Sequence, residues 1–313
     1  MKDTAGSIKK SIKRRLPAIA EVLILALFVL FIVFAAEVKE ATLRAFRFSL
    51  TVIVPSIFPF TVLSGVYASL RPQREKNKKG WLSRLLGIPT QALGVCFLSV
   101  LVGFPQSGMM VSDLYNEGRI TKEDAERIFP MLNNPSVGFV TVGVGLGSFG
   151  SLKIGIFLYL CVLFASFTVG RFGKCATPSL SYAPVKPRER SLPDLIRNAS
   201  LTTLSVVGFV VFFTVLSAIL DKILLSPALR LLALLTLEVT GGATGAATLL
   251  GAPLVLRLAL CAFALGFGGI CVGMQSEIYL RSSSLPVLPY YERKLLGGLL
   301  AAILVGLLSY FMI

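Results

Sequence analysis

Residues 129–150 restrict the fold of this chain more than any other segment. The segment is apolar enough to enter a lipid bilayer, yet it contains Asn133, Asn134 and Pro135 and ends in a run of glycines. Inside hydrocarbon every backbone N–H and C=O group needs a partner within the protein, so an ordinary spanning helix has no use for such residues. The segment therefore predicts a broken or re-entrant helix packed against other helices of a membrane protein.

The composition predicts the same class of protein. Of the 313 residues, 55% are hydrophobic and only 15% are charged, and the mean hydropathy is +0.79. The apolar length is sufficient for roughly eight or nine membrane segments of about 20 residues each. We therefore predict an all-α polytopic membrane protein without a soluble module.

The positive charges predict the orientation of the chain. A net charge of +15 would suggest nucleic acid as the partner of a soluble protein, but here Lys and Arg form short runs beside apolar segments, at 71–84 and 173–197. Such runs mark cytoplasmic loops, so the expected partner is the lipid bilayer and not nucleic acid. Residues 1–36 are basic and then apolar, which favours a retained signal anchor with a cytoplasmic N-terminus over a cleaved signal peptide.

Several kinds of chemistry are excluded or disfavoured. The chain has no histidine, which excludes zinc proteases of the HExxH type and hydrolases that use a serine with a histidine. Its five cysteines show no CxxC spacing that would suggest a zinc or redox site. We predict no cofactor and no metal centre, and an intramembrane enzyme is the least favoured function.

The two halves of the chain show a weak internal repeat. Residues 37–172 and 198–313, joined by the basic linker 173–197, each contain two interrupted apolar segments followed by an uninterrupted one. The sequence Gly-Phe-Pro-Gln-Ser-Gly at 103–108 corresponds to Glu-Val-Thr-Gly at 238–241, and the Asn133 region corresponds to the glycines from Gly266 onward. Such repeats are typical of transporters and predict two inverted repeats with broken or re-entrant helices.

The number of crossings adds a constraint on residues 129–150. The basic loops 71–84 and 173–197 both belong inside, but three apolar segments separate them, so one segment must dip into the membrane and return. We predict that 129–150 is this segment, with Asn133, Asn134 and Pro135 at its tip, and that 255–275 is its counterpart from the other face. Thr121 and Asp124 predict the start of the helix that leads to Asn133.

Polar residues at these interruptions are the candidate site. Glu238 is the only acid between Asp221 and Glu277, and an ionisable group inside an apolar run costs about 3 kcal/mol, so it is retained for a partner or a task. A structural ion pair with Arg257 is the alternative for Glu238. For the two asparagines the alternative is capping of the second half-helix, and a joint capping and ligand role is favoured over either role alone. The predicted substrate-binding residues are Asn133, Asn134, Glu238, Gln106, Ser107 and Gln275.

Glycines at 143, 145, 147 and 150 resemble a nucleotide-binding loop only superficially, because no strand precedes them. Close packing between helices is the better interpretation of these four residues.

An ordered set of motifs carries a family resemblance. The set consists of the motif at 103–108, the polar segment 112–127, Asn133-Asn134, Leu-Glu-Val-Thr-Gly at 237–241, Gly-Phe-Gly-Gly-Ile at 266–270 and Met274-Gln275. It resembles the YlbJ group of sporulation integral membrane proteins, within the nucleoside-recognition or Gate domain family. That family is related to the gate regions of ferrous-iron transporters and concentrative nucleoside transporters. The resemblance implies a role in bacterial spore formation, a place in the bacterial inner membrane, and transport.

We therefore expect a membrane transporter or permeation gate for a small solute, for example a nucleoside, in a site that leaves room for a coupling cation. The alternative is a membrane scaffold of a spore-envelope assembly that transports nothing. A scaffold would tolerate Glu238→Gln but not changes in the surface of 112–127.

Overall fold

The computed structural model describes residues 2–70, 80–172 and 191–311, which are helical almost throughout and contain no strand. Most of the two basic loops lies outside the described residues. The helices are α1 Lys2–Val33, α2 Ala35–Phe48, α3 Val54–Leu70, α4 Trp81–Leu86, α5 Leu93–Val102, α6 Gln106–Asn116, α7 Lys122–Leu132, α8 Gly147–Phe149, α9 Leu152–Phe172, α10 Leu192–Ile223, α11 Pro227–Leu237, α12 Val239–Ala247, α13 Leu254–Phe267, α14 Gly269–Ser282 and α15 Leu288–Leu308. Short π-helical turns, Ser49–Ile53 and Phe139–Leu146, join α2 to α3 and lead into α8.

The predicted class, an all-α polytopic membrane protein, is confirmed. Among the described residues, four helical stretches are long and apolar enough to cross a membrane: Ala35–Tyr67, Leu152–Phe172, Leu192–Ile223 and Leu254–Ser282. Shorter apolar helices accompany them at Ala18–Val33, Thr90–Val102, Phe139–Phe149 and Pro227–Leu237.

Local signals start several of these helices. The Thr121 side chain accepts a hydrogen bond from the backbone N–H of Asp124 (3.1 Å), so the predicted cap of α7 is confirmed. Ser191 and Asp194 form a reciprocal capping box at the start of α10. Both pairs satisfy backbone N–H groups that a helix leaves free in its first turn.

Helices α5 and α6 form a hairpin whose tip is the break at 103–105. Gly87, shortly before α5, lies against Arg171 at the end of α9 and near Arg127 of α7. Val100, near the end of α5, accepts a hydrogen bond from Tyr159, which lies nearer the start of α9 (2.5 Å). Helix α6 then returns toward the turn at Gly118 that leads into α7. We call the end of the bundle at this turn the Gly118 face, and the opposite end, at the turn between α8 and α9, the Gly150 face.

The segment 129–150 does not reverse at its asparagines, so the predicted re-entrant tip is wrong. Along α9, Gly170 lies against Met131, Ser166 bonds to Asn134, and Gly155 lies against Gly145. These contacts advance steadily in one direction, which means that α7 and α8 form one broken helix beside the whole of α9. The chain reverses only at Gly150, whose φ of +68° suits a glycine.

The constraint on the number of crossings is met by the α5–α6 hairpin instead. Each of its helices has 10 or 11 residues, which at about 1.5 Å per residue reaches only halfway through a hydrocarbon core of about 30 Å. The chain continues in the same direction through the break at Asn133. It can do so because neighbouring groups form hydrogen bonds to the peptide groups that the break leaves unpaired.

The second half repeats this arrangement. Helices α11 and α12 form a hairpin with Glu238 at its tip, since Gly241 and Gly245 of α12 both lie against Leu234 of α11. Segment 255–275 belongs to the broken helix α13–α14 and does not dip and return, so its predicted re-entrant geometry is also wrong.

The ends of α13–α14 lie at opposite faces of the bundle. Near its start, the Arg257 guanidinium lies 5.6 Å from the centre of the Phe149 ring, at the Gly150 face. Just beyond its end, Ser283 accepts a hydrogen bond from Asn116 (3.0 Å), at the Gly118 face. The α11–α12 hairpin starts from the Gly150 face, because Arg257 also donates a hydrogen bond to the last residue of α12, Ala247. The two hairpins therefore enter from opposite faces, as inverted repeats require.

The order of elements is the same in both halves: a long helix, a hairpin of short helices, a broken helix and an unbroken helix. The boundaries 1–36, 37–172, 173–197 and 198–313 stay predictions. Close packing at the glycines holds for Gly145, where a Cβ atom would lie 2.4 Å from the Cα of Gly155. It does not hold for Gly143 or Gly147, whose nearest neighbours belong to their own helical stretch.

Cysteine labelling tests this arrangement. In a background without native cysteines, we expect Thr121→Cys and Leu192→Cys to react with a membrane-impermeant maleimide from one side of the membrane. We expect Leu152→Cys and Leu250→Cys to react from the other side, because they lie at the Gly150 face. Labelling of the Thr121 and Leu152 positions from the same side would restore the re-entrant interpretation of 129–150.

Candidate functional site

The helix breaks of each half contact one another in the interior. In the first half, Gly103 at the hairpin tip lies so close to the broken helix that a Cβ atom would be 2.4 Å from the backbone nitrogen of Ser136. The Phe104 N–H donates to the Asn134 carbonyl (2.8 Å). In the second half, a Cβ atom at Gly269 would lie 2.9 Å from the carbonyl oxygen of Leu237, beside the hairpin tip. Each tip therefore fits against the break of its own half only because a glycine stands at the contact.

Asn133 is the centre of a buried polar network. It is fully buried, and its amide donates to the hydroxyls of Ser276 (2.8 Å) and Tyr290 (2.9 Å). Its side-chain oxygen accepts a hydrogen bond from Ser107 (3.2 Å). The network thus joins the first hairpin, the first broken helix, the second broken helix and α15, with all three polar functions of the Asn133 amide satisfied.

Asn134 extends this network toward α9. Its side-chain oxygen accepts a hydrogen bond from Ser166 (2.7 Å), and its amide donates to the carbonyl of Met131 (2.7 Å) near the end of α7. This second bond caps the C-terminus of α7. The predicted capping of the second half-helix by the asparagines is wrong, because Ser136 accepts a hydrogen bond from the Phe139 N–H there (3.3 Å).

Lys294 is buried beside both asparagines and was not among the predicted site residues. It is 2% exposed, and its ammonium donates to the carbonyl oxygen of Asn133 (2.8 Å) and to the side-chain oxygen of Asn134 (3.4 Å). A cation thus lies against the carbonyl end of α7, where the helix dipole favours positive charge.

Glu238 caps α12. It is 6% exposed, and its carboxylate accepts hydrogen bonds from the backbone N–H groups of Thr240 (2.8 Å) and Gly241 (2.6 Å). The predicted alternative, an ion pair with Arg257, is wrong, because that guanidinium bonds to Ala247 and lies over Phe149. The positive end of α12 takes the place of a counter-ion.

A cavity of about 380 Å³ opens beside these breaks, and we call it the central cavity. Glu238 and Gln275 line it from the second half, and Phe104 and Ser136 line it from the first. Its remaining wall comes from further residues of the interrupted segments and from the long helices that pack outside the breaks. These wall residues include Phe48, Thr51, Val52, Ile53, Ser56, Ile57, Phe139, Val142, Val206 and Val210.

The predicted site residues therefore divide into three groups. Ser107, Asn133 and Asn134 belong to the buried network, whereas Glu238 and Gln275 line the central cavity. The buried network and the cavity lining are adjacent in the chain, because Ser276 of the network directly follows Gln275 of the lining. Gln106 stands apart, is fully buried and donates to the Thr61 hydroxyl (2.7 Å).

Thr61 also lines a second cavity of about 610 Å³, which includes Glu117 and Arg119 from the turn at the Gly118 face. Thr61, the partner of Gln106, thus faces this second cavity, whereas Gln106 itself does not line it.

Sequence reasoning missed the contributions of α15 because polar residues directly before an apolar run resemble a loop, and Tyr290 and Lys294 lie in such a stretch. Tyr290 and Lys294 are four residues apart near the start of α15, which places both side chains on one helix face. Pro289, in the first turn of that helix, was the available signal. Ser166 and Ser276 had none, because single serines are common in apolar helices. No cluster of three or more metal-binding side chains of the His, Cys, Asp or Glu type occurs among the described residues.

Together these features define a multi-pass, all-α membrane protein with two interrupted helices and two short hairpins beside a partly open cavity. Comparison with known proteins relates it to the sporulation integral membrane protein YlbJ of Bacillus subtilis (strain 168), with 24% identity over 302 residues. The match covers 82% of this chain and 74% of the relative. No family model matches the chain, and no solved structure matches it. The link to the Gate domain family stays a prediction.

Removal of the Tyr290 hydroxyl tests the buried network. We expect Tyr290→Phe to lower the free energy of unfolding by about 1 kcal/mol, because Asn133 and Ser276 lose a buried partner. The control is Tyr310→Phe, at a residue that is 83% exposed, which should change stability by less than about 0.5 kcal/mol. Thermal unfolding of both purified variants in detergent measures the difference, and equal melting temperatures would contradict the network.

Proposed function

We propose that this protein is a transporter or permeation gate for a small solute in the bacterial cell membrane and that it serves spore formation. The observation that carries the proposal is the central cavity, which is lined by residues from the helix breaks of both halves and contains the buried carboxylate of Glu238. An ionisable acid buried at such a depth has a high free-energy cost. Acids of this kind in membrane proteins generally belong to a substrate or ion pathway.

The symmetry of the hairpins supports transport over simple binding. The α5–α6 hairpin enters from the Gly118 face and the α11–α12 hairpin from the Gly150 face, so each one separates the central cavity from a different side. Movement of one hairpin or its half against the other would expose the cavity to one side at a time, which is the usual logic of inverted-repeat transporters. At the Gly118 face the second cavity supplies an approach that reaches Thr61, the partner of Gln106.

The cavity lining indicates the chemistry of the solute. The Glu238 carboxylate accepts hydrogen bonds, and Ser136 and Gln275 can both donate and accept them. Phe104 and Phe139 add aromatic surface to the same lining. A volume of about 380 Å³ lies at the small end of the usual range for ligand pockets. A small molecule with hydroxyl or amino groups on a flat ring, such as a nucleoside, fits this description.

A scaffold role has less support. The segment 112–127, which a scaffold would present to partners, is only partly accessible. Ser112 donates to the Tyr279 carbonyl (3.2 Å) and Glu126 is 5% exposed, whereas Asn116, which bonds to Ser283, lies at the surface. The name of the Bacillus relative is compatible with either role in spore formation. The cavity therefore favours transport.

Flux into liposomes tests the proposal. We expect the purified full chain to transport at least one solute from a panel of nucleosides and small metabolites. Glu238→Gln should reduce the initial rate at least about tenfold, because a charged acceptor is worth at least about 1.4 kcal/mol in such a site. The matched control is Glu40→Gln, because the Glu40 side chain is 72% exposed in a surface ion pair with Arg44, and its rate should equal that of the unaltered protein.

A second set of results would contradict the transport proposal. If no solute in the panel is bound or transported, and Glu238→Gln sporulates normally in the parent organism, the transport proposal fails. Thermal unfolding of Glu238→Gln shows whether the variant is folded, since the single amide oxygen of glutamine can accept only one of the two hydrogen bonds from α12.

A further inference from the structure

The ammonium of Lys294 lies at the centre of the protein without a carboxylate partner. The residue is 2% exposed, and its hydrogen bonds go to two neutral oxygens, the Asn133 carbonyl (2.8 Å) and the Asn134 side chain (3.4 Å). No carboxylate in the described ranges forms an ion pair with it. The acid of the central cavity, Glu238, is stabilised separately by the N-terminus of α12.

The position of this ammonium matches a cation site. Helix α7 ends at Leu132, so the Asn133 carbonyl belongs to the unwound chain at the negative end of a helix dipole. In transporters with interrupted helices, unwound carbonyls and helix C-termini of this kind coordinate the coupling cation near the membrane midplane. The side-chain oxygen of Asn134 adds a second ligand of the type that alkali cations accept.

We propose that the Lys294 ammonium is a built-in cation that occupies this site in place of a coupling metal ion. It supplies the positive charge that the oxygens at the α7 break require. If the proposed transport function holds, on which this last step rests, solute transport proceeds without Na⁺ or K⁺. The expected coupling cation is then part of the chain.

The competing explanation gives Lys294 only a structural role, as a hydrogen-bond donor that attaches α15 to the break. The two explanations predict different behaviour of a protein from which the ammonium has been removed. A cation site left empty should bind a metal cation from solution, whereas a structural attachment should simply be lost.

The experiment measures the melting temperature of the purified full chain in detergent, in NaCl, LiCl, KCl or choline chloride at equal ionic strength. The unaltered protein should melt at the same temperature in all four salts. Lys294→Met should melt about 5 °C lower in choline chloride, and NaCl or LiCl should recover at least half of that loss. Lys294→Arg is the matched control, because it keeps the positive charge and should show no preference among the salts.

A double variant covers the case in which Lys294→Met does not fold. Asn134→Asp combined with Lys294→Met places a carboxylate beside the vacated position, which should make folding and the melting temperature depend on Na⁺ or Li⁺. Failure of both variants to respond to any alkali cation would overturn the proposal, and so would a stabilisation of the unaltered protein by Na⁺. Because melting needs no solute, the result is independent of the flux experiment with Glu238→Gln.

Discussion

The helices of this protein are interrupted at four places in its interior, and the backbone groups left unpaired there are the constraint that shapes everything around them. Lipid cannot satisfy such groups, so each break must meet another part of the chain. The Asn134 carbonyl accepts the Phe104 N–H, Lys294 donates to the Asn133 carbonyl, and Glu238 accepts two N–H groups of α12. The hairpins, the broken helices and α15 are held together at these contacts.

The same contacts explain why polar chemistry gathers in one place. Residues that form hydrogen bonds to the unpaired groups on one side of the breaks belong to the Asn133 network. Residues on the other side of the breaks line the central cavity. Ser136 and Gln275 belong to the cavity, while their near neighbours Asn134 and Ser276 belong to the network. A movement of either hairpin would have to exchange some of these bonds, which couples the shape of the cavity to the state of the network. Lys294 lies at the carbonyl end of one helix and Glu238 at the N-terminus of another, where each helix dipole favours the charged form of the side chain.

Much of this could be predicted from the sequence, because breaks in apolar segments leave clear signals. Proline, glycine and adjacent amides located the interruptions at Gly103, Asn133 and Glu238, and basic loops required one segment to dip and return. The sequence could not assign the dipping segment, since a break permits both a reversal and a continued path. The choice depends on contacts along α9, such as Ser166 with Asn134, between residues far apart in the chain. Lys294 was missed because a lysine before an apolar run resembles the end of a loop.

Breaks from both halves line one cavity, and cross-linking across that cavity is the sharpest test of this arrangement. In a background without native cysteines, Ser136→Cys and Gln275→Cys would be combined and treated with a short bifunctional thiol reagent. We expect efficient intramolecular cross-linking of this pair and none for Ser136→Cys with Leu204→Cys, because Leu204 lies on α10 and is 68% exposed. If Ser136→Cys and Gln275→Cys each react with a monofunctional thiol reagent but fail to cross-link, the two halves do not share a cavity, and the proposed site is contradicted.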